Sequence, residues 1–82
     1  MSVKQQVRTF ILSNYLFTED ESKLSDSASL MQSGAMDSTG ILELIMFLEE
    51  KFSIKVADEE MVPANLDSVQ NVVAFIERKK AA

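Results

Sequence analysis

The 82-residue sequence predicts an all-α fold, a small four-helix bundle made of three main helices and one short helix. Apolar residues recur at intervals of three and four positions in three separate segments, which is the pattern of helices that bury one face. The chain holds only two glycines and one proline, and 46% of its residues are hydrophobic, a composition typical of a folded domain. We therefore expect residues 1–82 to form a single domain with a modest core.

The first helix is predicted over residues 3 to about 17, and a long loop follows it. The residues expected on its inward face are Val3, Val7, Phe10, Ile11 and Tyr15. Residues 18–36 are rich in serine and acids, and loops of this length inside a compact domain are uncommon and often functional. We expect Leu24, Leu30 and Met31 to pin this loop to the core.

The second helix is predicted to begin near Ser38 and to end at Phe52. Asp37 is the expected N-cap, because its carboxylate can accept hydrogen bonds from the free N–H groups of the first turn. The residues expected to face inward are Ile41, Ile45, Leu48 and Phe52.

The rest of the chain is predicted to add one short helical turn and a final long helix. The short turn is expected at residues 58–62 and is ended by Pro63, which cannot continue a helix. The last helix is capped by Asp67 or Ser68 and has basic residues near its negative end. Its inward residues are Val69, Val72, Val73 and Ile76, and its closing basic residues are Arg78, Lys79 and Lys80.

The net charge of −5 comes entirely from residues 37–60. This segment contains seven acids and two lysines, whereas the other residues carry six acids and six bases. Such a concentration repels nucleic acid and anionic membranes and attracts basic protein surfaces, although an ordinary solvated helix face carries similar charges. Met46 and Phe47 are expected to lie off the buried side, near Glu43 and Glu50, which indicates a docking patch.

Three serines follow an aspartate, and Ser38 differs from the other two. Ser27 lies in the middle of the loop, where turn chemistry explains it, and helix capping explains Ser68. Ser38 opens a helix with an acidic face. It is not expected to be catalytic, because the chain has no histidine to serve as its base and no G-x-S-x-G motif.

Other kinds of site chemistry find no support in the sequence. The chain has no cysteine or histidine, no calcium-binding loop and no phosphate-binding G-x-x-x-x-G-K-[ST] motif, so we expect no metal site. No uninterrupted apolar run is longer than Leu44–Leu48, and its five residues are far below the ~20 that a membrane-spanning helix needs. The N-terminal segment lacks the pattern of a signal peptide. We expect a mature, soluble, cytoplasmic protein.

The segment GAMDSTGILELIMFLEEKFSIKV, residues 34–56, resembles the attachment region of acyl carrier proteins. In that family an Asp-Ser pair precedes an acidic amphipathic helix of the ELVMALEEEF type, and the resemblance extends in outline over the whole chain. It implies the helical bundle of the family. It also implies that a phosphopantetheinyl transferase attaches 4′-phosphopantetheine from coenzyme A to Ser38. The thiol of that arm would carry acyl groups as thioesters, as in fatty acid biosynthesis and lipid metabolism.

The resemblance further implies a partner surface on the second helix and on the acidic turn after it. The partners would be the transferase and the enzymes that load and transfer acyl or aminoacyl groups, which would present basic docking surfaces to a monomeric carrier. The residues concerned are Asp37, Glu43, Met46, Glu49, Glu50, Asp58, Glu59 and Glu60. For Met46, simple packing is an alternative explanation.

Three features depart from the pattern of fatty-acid carriers and leave the cargo open. Thr39 stands where a bulky apolar residue is usual, and Gly40 stands where an acid is common. The Pro63-Ala64-Asn65 stretch before the last helix is more similar to peptidyl or aminoacyl carriers, including D-alanyl carriers. The cargo is therefore an acyl group or an amino acid. A different class of function, an acidic helical adaptor that binds a basic protein without any modification, also fits the residues.

Overall fold

A computed structural model describes residues 2–81 of the chain, and all regular elements in that range are helical. The four α-helices are α1 (Val3–Ile11), α2 (Ser38–Phe52), α3 (Pro63–Leu66) and α4 (Val69–Ala81). Single 3-10 turns lie at Glu21–Lys23 and Asp58–Glu60. The predicted fold class, three main helices and one short helix, is confirmed.

The first helix changes its winding before it ends. After Ile11 the chain continues as a π-helical turn from Leu12 to Leu16. The predicted length of the first helix is therefore confirmed, but its last five residues are π-helical and not α-helical. Phe17 closes the turn in the left-handed conformation, with φ of 53°, and Thr18 N–H donates to the Leu12 carbonyl over 3.2 Å. The wider turn displaces Tyr15 relative to a continuous α-helix.

The core lies between α1, α2 and α4, and the long loop covers one side of it. The side chains that are almost fully buried are Val7, Ile11, Leu30, Leu44, Leu48, Val69, Val72, Phe75 and Ile76. In α2 the predicted inward face is confirmed at Ile45, Leu48 and Phe52, but Ile41 is only half-buried while Leu44, not predicted, is fully buried. The buried face of α2 is thus rotated toward Leu44.

Phe47 differs from its predicted place off the buried side. Its ring stacks on the Phe10 ring with centroids 4.3 Å apart, and it packs against the core as a half-buried residue. The reason is that α1 lies against this side of α2, which a helical wheel of α2 alone does not include. Met46, in contrast, is 66% exposed as predicted.

One nearly buried charged residue, Arg8, ties α1 to the long loop. Its guanidinium donates to the Leu24 carbonyl over 2.8 Å and to the Glu21 carbonyl over 2.7 Å. It also pairs with the carboxylates of Glu21 and Asp26. The hydrogen bond from Arg8 holds the pKa of Glu21 below its usual range. The pKa of Asp26 is also lowered, mainly by its hydrogen bond with Lys4 and to a smaller extent by the one with Arg8.

A second tie joins the loop to the start of α4. Asp67 accepts a hydrogen bond from the Ser29 hydroxyl and another from Met31 N–H, and its carbonyl accepts from Leu30 N–H over 2.6 Å. Leu24 and Leu30 are buried as predicted. Met31 is not, since 47% of it is exposed and only its backbone is held.

The connection between α2 and α4 also differs in detail from the sequence prediction. The acidic turn is a 3-10 turn over Asp58–Glu60, and Pro63 begins α3 instead of ending that turn. Proline suits this first helical position because its missing N–H would have no partner there. The cap of α4 is Ser68, whose hydroxyl accepts from Asn71 N–H over 3.1 Å, which leaves Asp67 for the loop contacts.

Candidate functional site

Ser38 is the first residue of α2, and it is exposed. The chain reaches it through a turn that ends at Gly34, whose φ of +81° suits glycine. Ala35 and Met36 then enter the core, and Met36 N–H donates to the Leu30 carbonyl over 3.0 Å. These buried residues hold the start of α2 in place while the serine faces solvent.

The N-cap of α2 leaves two backbone donors beside the serine. The Asp37 carboxylate accepts from Gly40 N–H over 2.8 Å, which confirms the predicted cap, and the Asp37 carbonyl accepts from Ile41 N–H. Within residues 2–81, the N–H groups of Ser38 and Thr39 have no hydrogen-bond acceptor. Free N–H groups at a helix N-terminus, together with the helix dipole, favour a bound phosphate.

The three Asp-Ser pairs occupy different environments. Ser27 is exposed in the loop, and Ser68 is only 6% exposed because it caps α4 from inside the fold. Ser38 alone of these three is an exposed serine at a helix start. In the described part of the chain no side chain hydrogen bonds to its hydroxyl, so none of the described side chains is placed to act as its base.

Two pockets open from Ser38. The larger, about 710 Å³ and open to solvent, lies between the end of the first helix, the long loop and α2. Its lining includes Tyr15, Met31, Gly34, Met36, Gly40 and Glu43. The smaller pocket, about 120 Å³, lies between α2 and the α3 segment and is mainly apolar. Its lining includes Met31, Ile41, Met61, Val62, Pro63 and Leu66.

The predicted partner residues differ in their exposure to solvent. The exposed members are Asp37, Glu43, Met46, Glu50, Asp58 and Glu59. Glu49 is half-buried and accepts from Val56 N–H over 3.0 Å. Glu60 accepts from Ala57 N–H and from the Lys79 ammonium, each over 2.9 Å, and these two donors lower its pKa. Glu49 and Glu60 therefore help to hold the segments that follow α2.

Glu43, Met46 and Glu50 line one groove on the α1 side of α2, which Phe10, Tyr15 and Phe47 also line. The Tyr15 hydroxyl donates to the Glu43 carboxylate. Burial, the hydrogen bond to Glu43 and the negative charge nearby raise the pKa of Tyr15 to about 12. The sequence analysis placed Tyr15 on an inward face and missed its contact with Glu43, which joins residues 28 positions apart and has no local signal in the sequence.

Two further features bear on the class of protein. Among the helices of residues 2–81, none combines the length and the apolar character that crossing a bilayer requires. In the same residues, His, Cys, Asp and Glu side chains form no group of three that could hold a metal ion.

The fold and the site define a small acidic helical protein that presents one serine hydroxyl at the start of its second helix. The chain is 39% identical to an acyl carrier protein of Akkermansia muciniphila over 77 residues, which covers 94% of this chain and 91% of that protein. It is 38% identical to an acyl carrier protein of Campylobacter hominis over 77 residues, with 94% and 92% covered. It is 31% identical to one of Solidesulfovibrio magneticus over 80 residues, with 98% and 97% covered.

The chain matches no protein-family model. The similarity to these carrier proteins nevertheless spans nearly the whole chain at identities above 30%. The chain belongs to the acyl carrier protein family.

Proposed function

We propose that this chain is a carrier to which 4′-phosphopantetheine is attached at Ser38, and that it delivers acyl or aminoacyl groups to partner enzymes as thioesters. Membership of the acyl carrier protein family supports the proposal. The observation that carries it is the exposed hydroxyl of Ser38 at the N-terminus of α2, where two pockets meet.

The residues around Ser38 suit a phosphate ester. The two free N–H groups of Ser38 and Thr39 lie at the positive end of α2, so they favour the phosphate of the attached group. Asp37 adds a negative charge next to the serine, but its carboxylate is engaged by Gly40 N–H. The site therefore fits the group without any metal ligand from this chain.

Attachment requires chemistry from the modifying enzyme. Ser38 Oγ forms a bond to the phosphorus that bears the pantetheine of coenzyme A, the pyrophosphate bond breaks, and adenosine 3′,5′-bisphosphate leaves with its electron pair. The hydroxyl proton passes to a base of the transferase, because no described side chain of this chain hydrogen bonds to the hydroxyl. The role of this chain is to present the nucleophile.

When attached, the prosthetic group supplies a flexible arm that ends in a thiol. The chain has no cysteine, so that thiol is the one on which a thioester can form. Tethering keeps the cargo at a high effective concentration near each enzyme that docks. A monomer of this size, working in the cytoplasm, could then visit one enzyme after another.

The smaller pocket supports a short cargo. Its volume of about 120 Å³ is below the roughly 300–1,000 Å³ that is usual for small-molecule sites. A short acyl group or an amino acid suits this space better than a long fatty acyl chain. If the pocket holds the cargo, the amide NMR shifts of Ile41, Val62 and Leu66 should change on loading a short acyl group and not on attaching the arm alone.

The exposed acids of the partner residues support docking to basic enzyme surfaces. Glu50, Asp58 and Glu59 have no ion-pair partner within residues 2–81, so their charges remain available. Contacts of this kind form fast and exchange readily, which suits a carrier that serves several enzymes. We propose that the transferase and the loading enzymes use this surface.

The modification can be tested by intact-protein mass after incubation with coenzyme A and a broad-specificity phosphopantetheinyl transferase. The wild-type chain should gain one phosphopantetheine and Ser38→Ala should gain none. Ser27→Ala is the matched control, because Ser27 is also an exposed serine after an aspartate. It should be modified like the wild type.

An opposite result is equally clear. A folded wild-type chain that stays unmodified with several such transferases would refute the carrier proposal. It would favour the acidic adaptor, whose binding to a basic protein should weaken with salt and be unaffected by Ser38→Ala.

A further inference from the structure

The π-helical turn places an aromatic side chain against the start of α2. Tyr15 lies within the turn Leu12–Leu16, and its half-buried ring makes an edge contact with the Phe10 ring at a centroid distance of 5.8 Å. Turns of this kind are frequent at functional sites. Here the Tyr15 side chain reaches Gly40 and Glu43, in the first two turns of the helix that Ser38 begins.

The Tyr15 ring takes the space that a side chain at position 40 would need. A Cβ atom on Gly40 would lie 3.1 Å from Tyr15 Cε1 and 3.4 Å from two atoms of Met36. Gly40 is helical and has no unusual φ, so space and not backbone freedom explains the glycine there. Glycine in the first turn of a helix weakens the helix, and close packing against Tyr15 gives a specific reason for a glycine at this position.

The phenol group is held at the surface and not in the core. Its hydroxyl donates to Glu43, whose carboxylate is exposed. A tyrosine hydroxyl is protonated at neutral pH and so acts as the donor to Glu43, and burial and the nearby carboxylate raise the pKa of Tyr15 further, to about 12. The hydrogen bond thus restricts the Glu43 carboxylate to one side of α2.

Tyr15, Gly40 and Glu43 all line the larger pocket, which Ser38 also lines. Tyr15 and Glu43 line the neighbouring groove with Met46 and Glu50 as well, so this pair stands between the serine and the acidic face. An enzyme that brings coenzyme A to Ser38 through this pocket meets the Tyr15 ring and a fixed Glu43 carboxylate.

We propose that Tyr15 is a specificity-determining residue of the attachment site. Its ring occupies the space beside Gly40 that a larger side chain would need, and its hydroxyl holds Glu43 in the position that the modifying enzyme recognises. The enzyme surface that fits this arrangement combines a basic or donor group for Glu43 with an apolar edge for the Tyr15 ring. This inference rests on the proposed modification of Ser38.

The experiment measures the kinetics of phosphopantetheine transfer to the full chain from coenzyme A. A broad-specificity transferase shows whether the wild type is modified, and a transferase that discriminates among carrier proteins supplies the kinetic constants. Tyr15→Phe removes only the hydroxyl and keeps the ring, so the fold should remain, as circular dichroism and urea titration would show. The lost hydrogen bond should raise KM for the carrier about threefold to tenfold and leave kcat unchanged.

Double-mutant cycles separate a recognition pair from a merely structural tyrosine. Tyr15→Phe and Glu43→Gln should be coupled, so that each raises KM less in the presence of the other. Tyr15→Phe and Glu50→Gln form the matched control, because Glu50 carries the same charge outside the Ser38 pocket. These two should act independently.

The outcomes distinguish the two proposals. If the wild type is modified but Tyr15→Phe leaves KM within about twofold of the wild-type value, the role of Tyr15 is refuted and the carrier function stands. Independent effects of Tyr15→Phe and Glu43→Gln would refute it in the same way. If the folded wild type is not modified at all, the carrier function fails and this inference fails with it.

Discussion

Arg8 should be a principal determinant of how firmly the long loop is held. It is 7% exposed, yet its guanidinium donates to two backbone carbonyls and pairs with two carboxylates of the loop. Arg8→Met keeps most of the aliphatic bulk and removes every one of these hydrogen bonds. The Leu24 carbonyl, whose contact with Arg8 is buried, would lose that donor.

The expected loss follows from the types of contact removed. An unsatisfied buried carbonyl costs about 1–3 kcal/mol, and hydrogen bonds to charged groups contribute about 1.5–3 kcal/mol. The ion pairs with the partly exposed acids add little. We therefore expect Arg8→Met to lower the free energy of unfolding by about 2–4 kcal/mol, which is a drop in Tm of about 10–25 °C for a domain of this size.

Urea unfolding followed by circular dichroism measures this quantity, with Arg78→Met as the matched control. Arg78 is exposed and donates one hydrogen bond to Asn65, so its removal should change the free energy of unfolding by no more than about 0.5 kcal/mol. Equal losses in the two variants would refute the argument that Arg8 holds the loop.

The pH dependence gives an independent check. Folding lowers the pKa of Glu21 and Asp26, so their contribution is fully present above their ordinary pKa of about 4 and is lost as pH falls through the lowered values. The difference in stability between wild type and Arg8→Met should therefore be constant near pH 7 and decrease slightly below about pH 4, because the carbonyl contacts of Arg8 do not titrate. A difference that stays constant down to pH 2 would contradict this.

Further predictions concern the packing at Gly40, the loop contact of Asp67 and the repulsion between the acids. Gly40→Ala should destabilise the fold by about 0.5–2 kcal/mol, because overpacking against Tyr15 outweighs the smaller gain from replacing a helical glycine, and Tyr15→Leu should relieve that loss in the double variant, as urea titration can measure. Asp67→Ala should speed hydrogen exchange at the Met31 amide by at least tenfold, estimated from the loss of about 1.5 kcal/mol, while α2 amides stay protected. Added salt should raise Tm, because the acids of residues 37–60 repel one another in the fold, and an unchanged Tm from about 10 to 500 mM salt would argue against that repulsion.

Features that depend on neighbouring residues in the chain were predictable. The bounds of α2, its cap at Asp37 and the buried positions Ile45, Leu48 and Phe52 follow from helical period and cap chemistry, both of which act within a few residues. The singular position of Ser38 also follows, since the comparison of three Asp-Ser pairs needs only their local context.

Contacts between distant segments decided what the sequence left open. Arg8 belongs to the polar pattern of α1, and only the path of the loop brings Glu21 and Asp26 to it. Asp67 looked like a cap, but its carboxylate serves Ser29 and Met31 while Ser68 caps α4. A periodic pattern predicts which face of a helix is buried, but it does not predict which partner covers that face.

Tyr15 and Gly40 show the same division most directly. Helical spacing predicted that Tyr15 faces inward. The conformational freedom of glycine predicted that Gly40 weakens the start of α2. Their contact, 25 positions apart in the chain, depends on the wider π-helical turn and on how α1 lies against α2. Local propensities determine where the helices of this protein lie along the chain. The packing of those helices decides which side chains lie beside Ser38. Only the tertiary structure shows this packing, because the steric fit between remote segments has no signature in the sequence of either one.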